Sequence, residues 1–162
     1  MERMLILFLG FLFISSPVFS QSLAYKTLLN ALYDKDFPVL KPQEIKYLQG
    51  YQVLDTREKE EFEVSHLTGA KWVGYDTFTL KNVEGLDKSK PILVYCTVGA
   101  RSQDIGKKLQ EAGFEQVFNL YGGIIQWSNE SMPLESDGHP TQRVHTNSKT
   151  WGMWLNKGEK VY

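Results

Sequence analysis

The sequence predicts an α/β fold in which a parallel sheet is covered by helices on both faces. Two observations predict it. Short apolar runs alternate with helix-patterned segments along most of the chain, and the run Pro91-Ile92-Leu93-Val94-Tyr95 is apolar throughout. A strand buried on both faces of a parallel sheet is apolar in this unbroken way, whereas a half-solvated strand alternates. Alternation of strand and helix at short intervals supplies the crossover helices that cover such a sheet. With 162 residues and 42% hydrophobic residues, the chain has enough apolar material for one domain with a real core.

Taken in order, the first twenty residues have the pattern of a secretory signal: Arg3, the apolar run Leu5 to Ile14, then Val18 and Ser20 before an expected cut at Gln21. The apolar run is short for a membrane span, which needs about 20 residues. The expected product is exported, periplasmic or secreted, without a stable membrane span after cleavage. Residues 21–40 are expected to form an N-terminal helix and a linker, with Leu28, Leu29, Leu32 and Tyr33 at helical spacing and Pro38 beyond it. Pro42 suits the first position of a short helix carrying Ile45 and Leu48, stopped by Gly50.

Tyr51 to Leu54 is a strand candidate. The charged stretch Lys59 to Val64 then suits a helix with a solvated charged face and Phe62 pointing inward. His66 to Ala70 reads as a turn, Ala70 to Val73 as a second strand, and Tyr75 to Lys90 as loop with weak helical character. After the strand Ile92–Tyr95, Ile105, Leu109 and Ala112 line one helical face, Asp104 suits its first turn and Gly113 its end. Gln116 to Leu120 is a further strand, and Ile124, Ile125 and Trp127 after Gly122-Gly123 suit a last short helix. The part after Pro133 is polar, then aromatic at Trp151 and Trp154, and no repeat is visible.

The chemistry concentrates at Cys96, the single cysteine. One cysteine forms no intramolecular disulfide, so an oxidising compartment would not staple this fold. A lone cysteine is commonly a small buried hydrophobe, but this one ends the most buried strand, where α/β folds place their ligands. The residues that follow, Thr97, Val98, Gly99, Ala100, Arg101 and Ser102, run from a loop into a helix pattern. Backbone N–H groups at a helix start and the Arg101 guanidinium form an electropositive cup of the kind that stabilises a thiolate or a persulfide anion. Gly99 lets the backbone turn tightly. Four residues separate Cys96 from Arg101, one fewer than in cysteine phosphatases, and the shorter loop suits sulfur better than a phosphate tetrahedron.

Several pieces occur together: Val53-Leu54-Asp55-Thr56-Arg57-Glu58, His66-Leu67-Thr68-Gly69-Ala70, Tyr95-Cys96-Thr97-Val98-Gly99-Ala100-Arg101-Ser102, Gly113-Phe114, and Leu120-Tyr121-Gly122-Gly123 with Trp127. In this ordered set the chain resembles the single-domain rhodanese (thiosulfate sulfurtransferase) family over residues 41–133, which leaves 134–162 as an extension of unassigned role. The resemblance implies a rhodanese-like fold with a five-stranded parallel sheet and helices on both faces. It also implies a ping-pong sulfur transfer with Cys96 as nucleophile, the loop 97–102 as substrate and persulfide-binding loop, and no cofactor. The donor would be a small sulfur-containing anion and the acceptor a thiol or cyanide. Two departures stand out: Thr97 replaces the basic residue that many relatives carry after the cysteine, and Trp72-Val73-Gly74-Tyr75 lacks the usual Ile-Pro step.

A net charge of −1 without long basic or acidic runs argues against nucleic acid and anionic membrane partners. His139 and His145 lack a metal-ligand spacing, so no metal site is expected. Asp55, Arg57 and His66 suit structural roles, since a buried carboxylate at a strand end commonly fixes neighbouring loops. The leading expectation is an exported sulfurtransferase working through a Cys96 persulfide. Behind it stand a non-enzymatic persulfide carrier or protein-binding module and, further back, a phosphatase or arsenate reductase.

Overall fold

The computed structural model describes residues 17–162. Residues 1–16, and with them the apolar run Leu5 to Ile14 of the expected export signal, lie outside the described residues. The helix α1 (Pro17–Leu32) opens the described chain. It is followed by β1 (Val39–Leu40), β2 (Gln52–Asp55), α2 (Lys59–Val64), β3 (His66–Leu67), β4 (Lys71–Trp72), β5 (Ile92–Tyr95), α3 (Ala100–Glu111), β6 (Val117–Leu120) and α4 (Gly123–Asn129). The rest of the chain supplies β7 (Leu134–Ser136), β8 (His139–Thr141), β9 (Arg143–His145), α5 (Lys149–Gly152) and β10 (Glu159–Val161).

The main sheet has five strands in the order β1-β6-β5-β2-β4, and every pairing in it is parallel. In the central strand β5, Ile92, Leu93, Val94 and Tyr95 are all fully buried, which accounts for the unbroken apolarity of that run. Alternate residues feed two cores. Leu93 and Tyr95 join Tyr25 and Leu29 of α1, Ile124 and Ile125 of α4, and Val144 and Leu155 of the C-terminal part. Ile92 and Val94 join Ile105 and Leu109 of α3 on the other face. Burial of each such Leu or Ile contributes about 2 kcal/mol, so β5 is held from both sides.

Several local expectations are corrected. The Pro42–Gly50 segment is two 3₁₀ turns, Pro42–Glu44 and Leu48–Gly50, rather than one helix. The stretch read as a linker contains β1, the fifth strand, which pairs Val39 with Asn119 and Leu40 with Leu120 at the sheet edge. The stretch read as a turn at His66 begins with β3, paired antiparallel with β7. Asp104 lies beyond the first turn of α3 and accepts a hydrogen bond from the Tyr75 hydroxyl at 2.9 Å.

The end of α3 follows its sequence signal. Gly113 has φ +88°, its N–H donates to Gln110 at 2.9 Å, and the Phe114 N–H donates to Leu109 at 3.1 Å. These two bonds form a Schellman motif, which satisfies carbonyls that the helix end leaves open.

Residues 134–162 fold back onto the domain. Strand β7 pairs with β3 and β8, β9 pairs with β10, and β9 lies against α2 and α4. Val144, Thr146 and Leu155 are buried there. The Ser128 hydroxyl donates to the Lys157 carbonyl at 2.7 Å, and Asn129 Nδ2 donates to the Trp154 carbonyl at 2.9 Å. Trp154 also stacks on Tyr25 at 5.2 Å, which ties this segment to α1. Among the described residues, no helix is long and apolar enough to cross a membrane.

Candidate active site

Cys96 leaves the carboxyl end of β5 and is 1% exposed. Its Sγ accepts a hydrogen bond from the Gly99 N–H at 3.1 Å. The four carbonyls from Cys96 to Gly99 all have other partners. Cys96 O accepts from Ile124 N at 2.9 Å and Thr97 O from Ile125 N at 3.3 Å. Val98 O accepts from the Tyr33 hydroxyl at 2.6 Å, and Gly99 O from Asn119 Nδ2 at 2.8 Å. With the loop carbonyls committed to α4, Tyr33 and Asn119, the peptide unit between Val98 and Gly99 turns its N–H to the sulfur. The N–H groups of Ala100, Arg101 and Ser102 belong to the first turn of α3, where no intrahelical acceptor exists. The loop thus runs from Cys96 at the end of β5 to the N-terminus of α3, with the Gly99 amide bonded to the sulfur.

Two glycines make this arrangement possible. Gly99 has φ +102°, and a Cβ there would overlap the Tyr33 hydroxyl. Gly123 has φ +56°, and a Cβ there would overlap the carbonyl oxygens of Cys96 and Thr97, which α4 must approach closely.

The side chains of the loop divide into two groups. Thr97 and Arg101 converge on Glu61: Thr97 Oγ1 donates to Oε1 at 3.0 Å, while Arg101 Nη1 and Nη2 reach Oε2 and Oε1 at 2.9 and 3.0 Å. Arg101 Nη2 also donates to Thr97 Oγ1 at 2.9 Å. Val98 instead packs into the core, and the Ser102 hydroxyl donates to Asn119 Oδ1 at 2.7 Å, which orients the Asn119 amide toward Gly99. Val98 and Ser102 thus turn their side chains away from Glu61, and Gly99 offers its N–H to Sγ. Arg101 and Thr97 contribute side chains, and Arg101 is already paired.

Glu61 is the neighbour of the loop that sequence reasoning missed, and it takes the inward position of α2 expected for Phe62. Glu61 is 2% exposed, whereas Phe62 is half-buried and stacks on His66 at 3.9 Å. A signal existed: Glu61 stands at the third position of α2, and its Oε2 accepts from the Glu58 N–H at 3.1 Å, the reach of a capping-box side chain. Burial pushes the Glu61 carboxyl up, but the Arg101 hydrogen bonds and charge and the Arg57 charge outweigh it and hold it below its ordinary value. His145 of β9 completes the surroundings, its Nδ1 4.0 Å from Glu61 Oε1. Nδ1 accepts from the Asn147 N–H at 3.2 Å, and burial pushes the imidazole below its ordinary value.

Behind this pair, Arg57 and Asp55 form a fully buried ion pair at 2.6 Å. The guanidinium also donates to Ser65 O at 2.6 Å and lies over the Tyr95 ring, so it braces the β2–α2 turn from within. His66 Nδ1 lies 3.0 Å from Phe62 O and Nε2 3.7 Å from Glu135, with no contact to Cys96.

A sequence model of the rhodanese-like domain matches residues 41–130. The chain belongs to the rhodanese-like family. It is 32% identical over 95 residues to the thiosulfate sulfurtransferase GlpE of Coxiella burnetii, an alignment that covers 59% of this chain and 80% of that protein. Among solved structures, a rhodanese-like domain from Anabaena superposes with a TM-score of 0.56 at 25% identity, covering 61% of this chain and 79% of that one. A polysulfide-sulfur transferase homodimer from Wolinella succinogenes superposes with a TM-score of 0.55 at 26% identity, covering 73% and 91%. Sulfur-transfer chemistry at the level of the family follows from these likenesses, and α1 and the segment after 130 lie outside the residues that the family model matches.

Proposed function

We propose that this chain is an exported sulfurtransferase that carries sulfane sulfur as a persulfide on Cys96. The observation that carries the reading is the polarity of the loop: the carbonyls of residues 96–99 are all bonded elsewhere, and the Gly99 N–H points at Sγ. A nucleophile set in such a cup gains from donors that are strongest when it is anionic. In the first half-reaction, the Cys96 thiolate attacks the outer sulfur of the donor. The donor's S–S bond breaks, the leaving group departs with the bonding electrons, and a Cys96 persulfide remains. In the second, an acceptor such as cyanide or a thiolate attacks that outer sulfur and restores the thiolate. The apolar run before Ser15 supports export to the periplasm or beyond.

The test is thiocyanate formation from cyanide and a sulfane donor by the purified protein. The expected result is turnover that disappears in Cys96→Ser, together with a mass increase of about 32 Da on Cys96 before the acceptor is added. Equal activity in that variant sinks the reading.

A second reading is a persulfide carrier or protein-binding module that does not turn over small donors. The near-complete burial of Cys96 favours it. A persulfide that forms only with a protein donor and resists cyanide would select this reading over the first.

A further inference from the structure

The charges around Cys96 carry information about the donor. Arg101 is the cation of the loop, yet both of its terminal nitrogens bond Glu61, whose side chain is 3% exposed. The next guanidinium inward, Arg57, is matched by the fully buried Asp55. Each guanidinium therefore has a dedicated carboxylate. Thr97, the residue following the nucleophile, adds a hydroxyl in place of a charge and spends its proton on Glu61. His145, the remaining basic group beside Glu61, is kept neutral-leaning by burial. Arg57 Nη1 has no hydrogen-bond partner but is fully buried, so what the loop itself offers an anion is its backbone amides, which supply partial charges only.

This balance matters most when a thiolate meets its donor. Attack on thiosulfate brings a singly charged thiolate against a dianion and releases a dianionic sulfite. Attack on a thiosulfonate or an alkyl persulfide brings the same thiolate against one charge at most. A net-neutral ion pair beside the cup leaves either repulsion largely uncompensated, and the repulsion against a dianion is about twice that against a monoanion.

We infer that the site takes a sulfane donor with a single negative charge on its terminal sulfur, an alkyl persulfide or a thiosulfonate, and that Glu61 sets this preference against the thiosulfate dianion. The inference rests on the sulfurtransferase reading. With a persulfide, the Cys96 thiolate attacks the terminal sulfur, the donor S–S bond breaks, and the carrier leaves as its thiolate. With a thiosulfonate, the same attack expels a sulfinate. In both steps the sulfane sulfur keeps its oxidation state, so no external oxidant or reductant is needed. Glu61 touches no reacting atom. It acts by neutralising Arg101 and is a positioning residue for specificity.

The experiment compares thiosulfate, methanethiosulfonate and mercaptoethanol persulfide as donors to cyanide, with Cys96→Ser subtracting the uncatalysed background. In the unmodified protein, kcat/KM for the two singly charged donors should exceed that for thiosulfate by about tenfold or more. In Glu61→Gln, kcat/KM for thiosulfate should rise by about tenfold, chiefly through KM, while the other two change by less than about threefold. If Glu61→Gln does not fold, Thr97→Lys adds the missing cation and should shift the ratio in the same direction. Thiosulfate matching the other donors in the unmodified protein, or all donors moving together in the variants, overturns the inference. Absence of Cys96-dependent transfer from every donor instead overturns the sulfurtransferase reading beneath it. Between the two singly charged donors, the one with the higher kcat/KM identifies the carrier chemistry.

Discussion

The loop 96–102 and the segments that enclose it are built on opposite principles. The loop is one contiguous peptide whose function is local: a strand end, a glycine and a helix start place amides around a sulfur. Its enclosure is assembled from distant pieces, with Tyr33 after α1, Glu61 of α2, Asn119 of β6, Gly123 of α4 and His145 of β9 all touching the loop or each other around it. The difference separates two functions. In the proposed sulfur transfer the contiguous loop makes the nucleophile, and the enclosure decides how the loop is held and which charges it meets.

The hardest way to break this division is at Gly123, where the enclosure meets the loop backbone. Gly123→Ala places a Cβ on the Cys96 and Thr97 carbonyls and keeps a left-handed φ of +56°. Backbone cannot yield as a flexible side chain does, so the expected cost is about 3 kcal/mol or more, with loss of sulfur transfer. Gly138→Ala is the control, because its φ of +75° is similar but nothing lies within 4 Å. Only the left-handed strain of about 1–2 kcal/mol should appear there. Denaturant unfolding of the two variants checks the contrast, and equal losses would show that strain, not overlap, dominates.

The same division governs what the sequence could show. The strand before Cys96, the helix after it and the glycine at its end were legible because each depends on neighbours within a few residues. Glu61 was not, because a charged residue in an acidic stretch reads as solvent-exposed until its partner, forty positions later in the chain, is known. Strand β1 escaped because two residues carry no periodicity, and pairing with β6 alone makes them a strand. The C-terminal segment escaped for the same reason: its strands are three residues each, and burial of Val144 and Leu155 is a property of the assembled face.

An intermediate effect is expected from the Glu61–Arg101 pair, which joins the two regions. The folded chain holds the Glu61 carboxyl below its ordinary value of 4.5, so the unfolded chain takes up this proton first as pH falls. The stabilisation is complete above 4.5 and is lost as pH drops through the lower folded value. Glu61→Gln should cost about 3 kcal/mol near neutral pH, since Arg101 is 22% exposed and its partner nearly buried. Urea midpoints of the variant and the unmodified protein should converge as pH falls below that value. A gap that persists unchanged into acid would mean that the lost packing and cap of Glu61, rather than its charge, account for the cost.

The smallest effect should sharpen the comparison most. The Tyr33 hydroxyl donates to Val98 O at 2.6 Å and accepts from Gly122 N at 2.7 Å, so one oxygen links α1, the loop and the approach to α4. Burial pushes this phenol well above its ordinary value, so it remains a donor across the working pH range. Tyr33→Phe keeps the ring and its edge contact with Tyr121 at 5.7 Å while leaving a carbonyl and an amide unpaired. The expected loss is about 1–2 kcal/mol. Tyr25→Phe removes a single bond, to Gly122 O at 3.1 Å, and should cost about 1 kcal/mol or less. If the enclosure only holds the loop, both variants lose stability and keep their rate at Cys96. If the Tyr33 bridge also closes the way to a sulfur that is 1% exposed, Tyr33→Phe raises the rate of Cys96 alkylation by a small thiol reagent while Tyr25→Phe does not, and α1 then belongs to the site as well as to the fold.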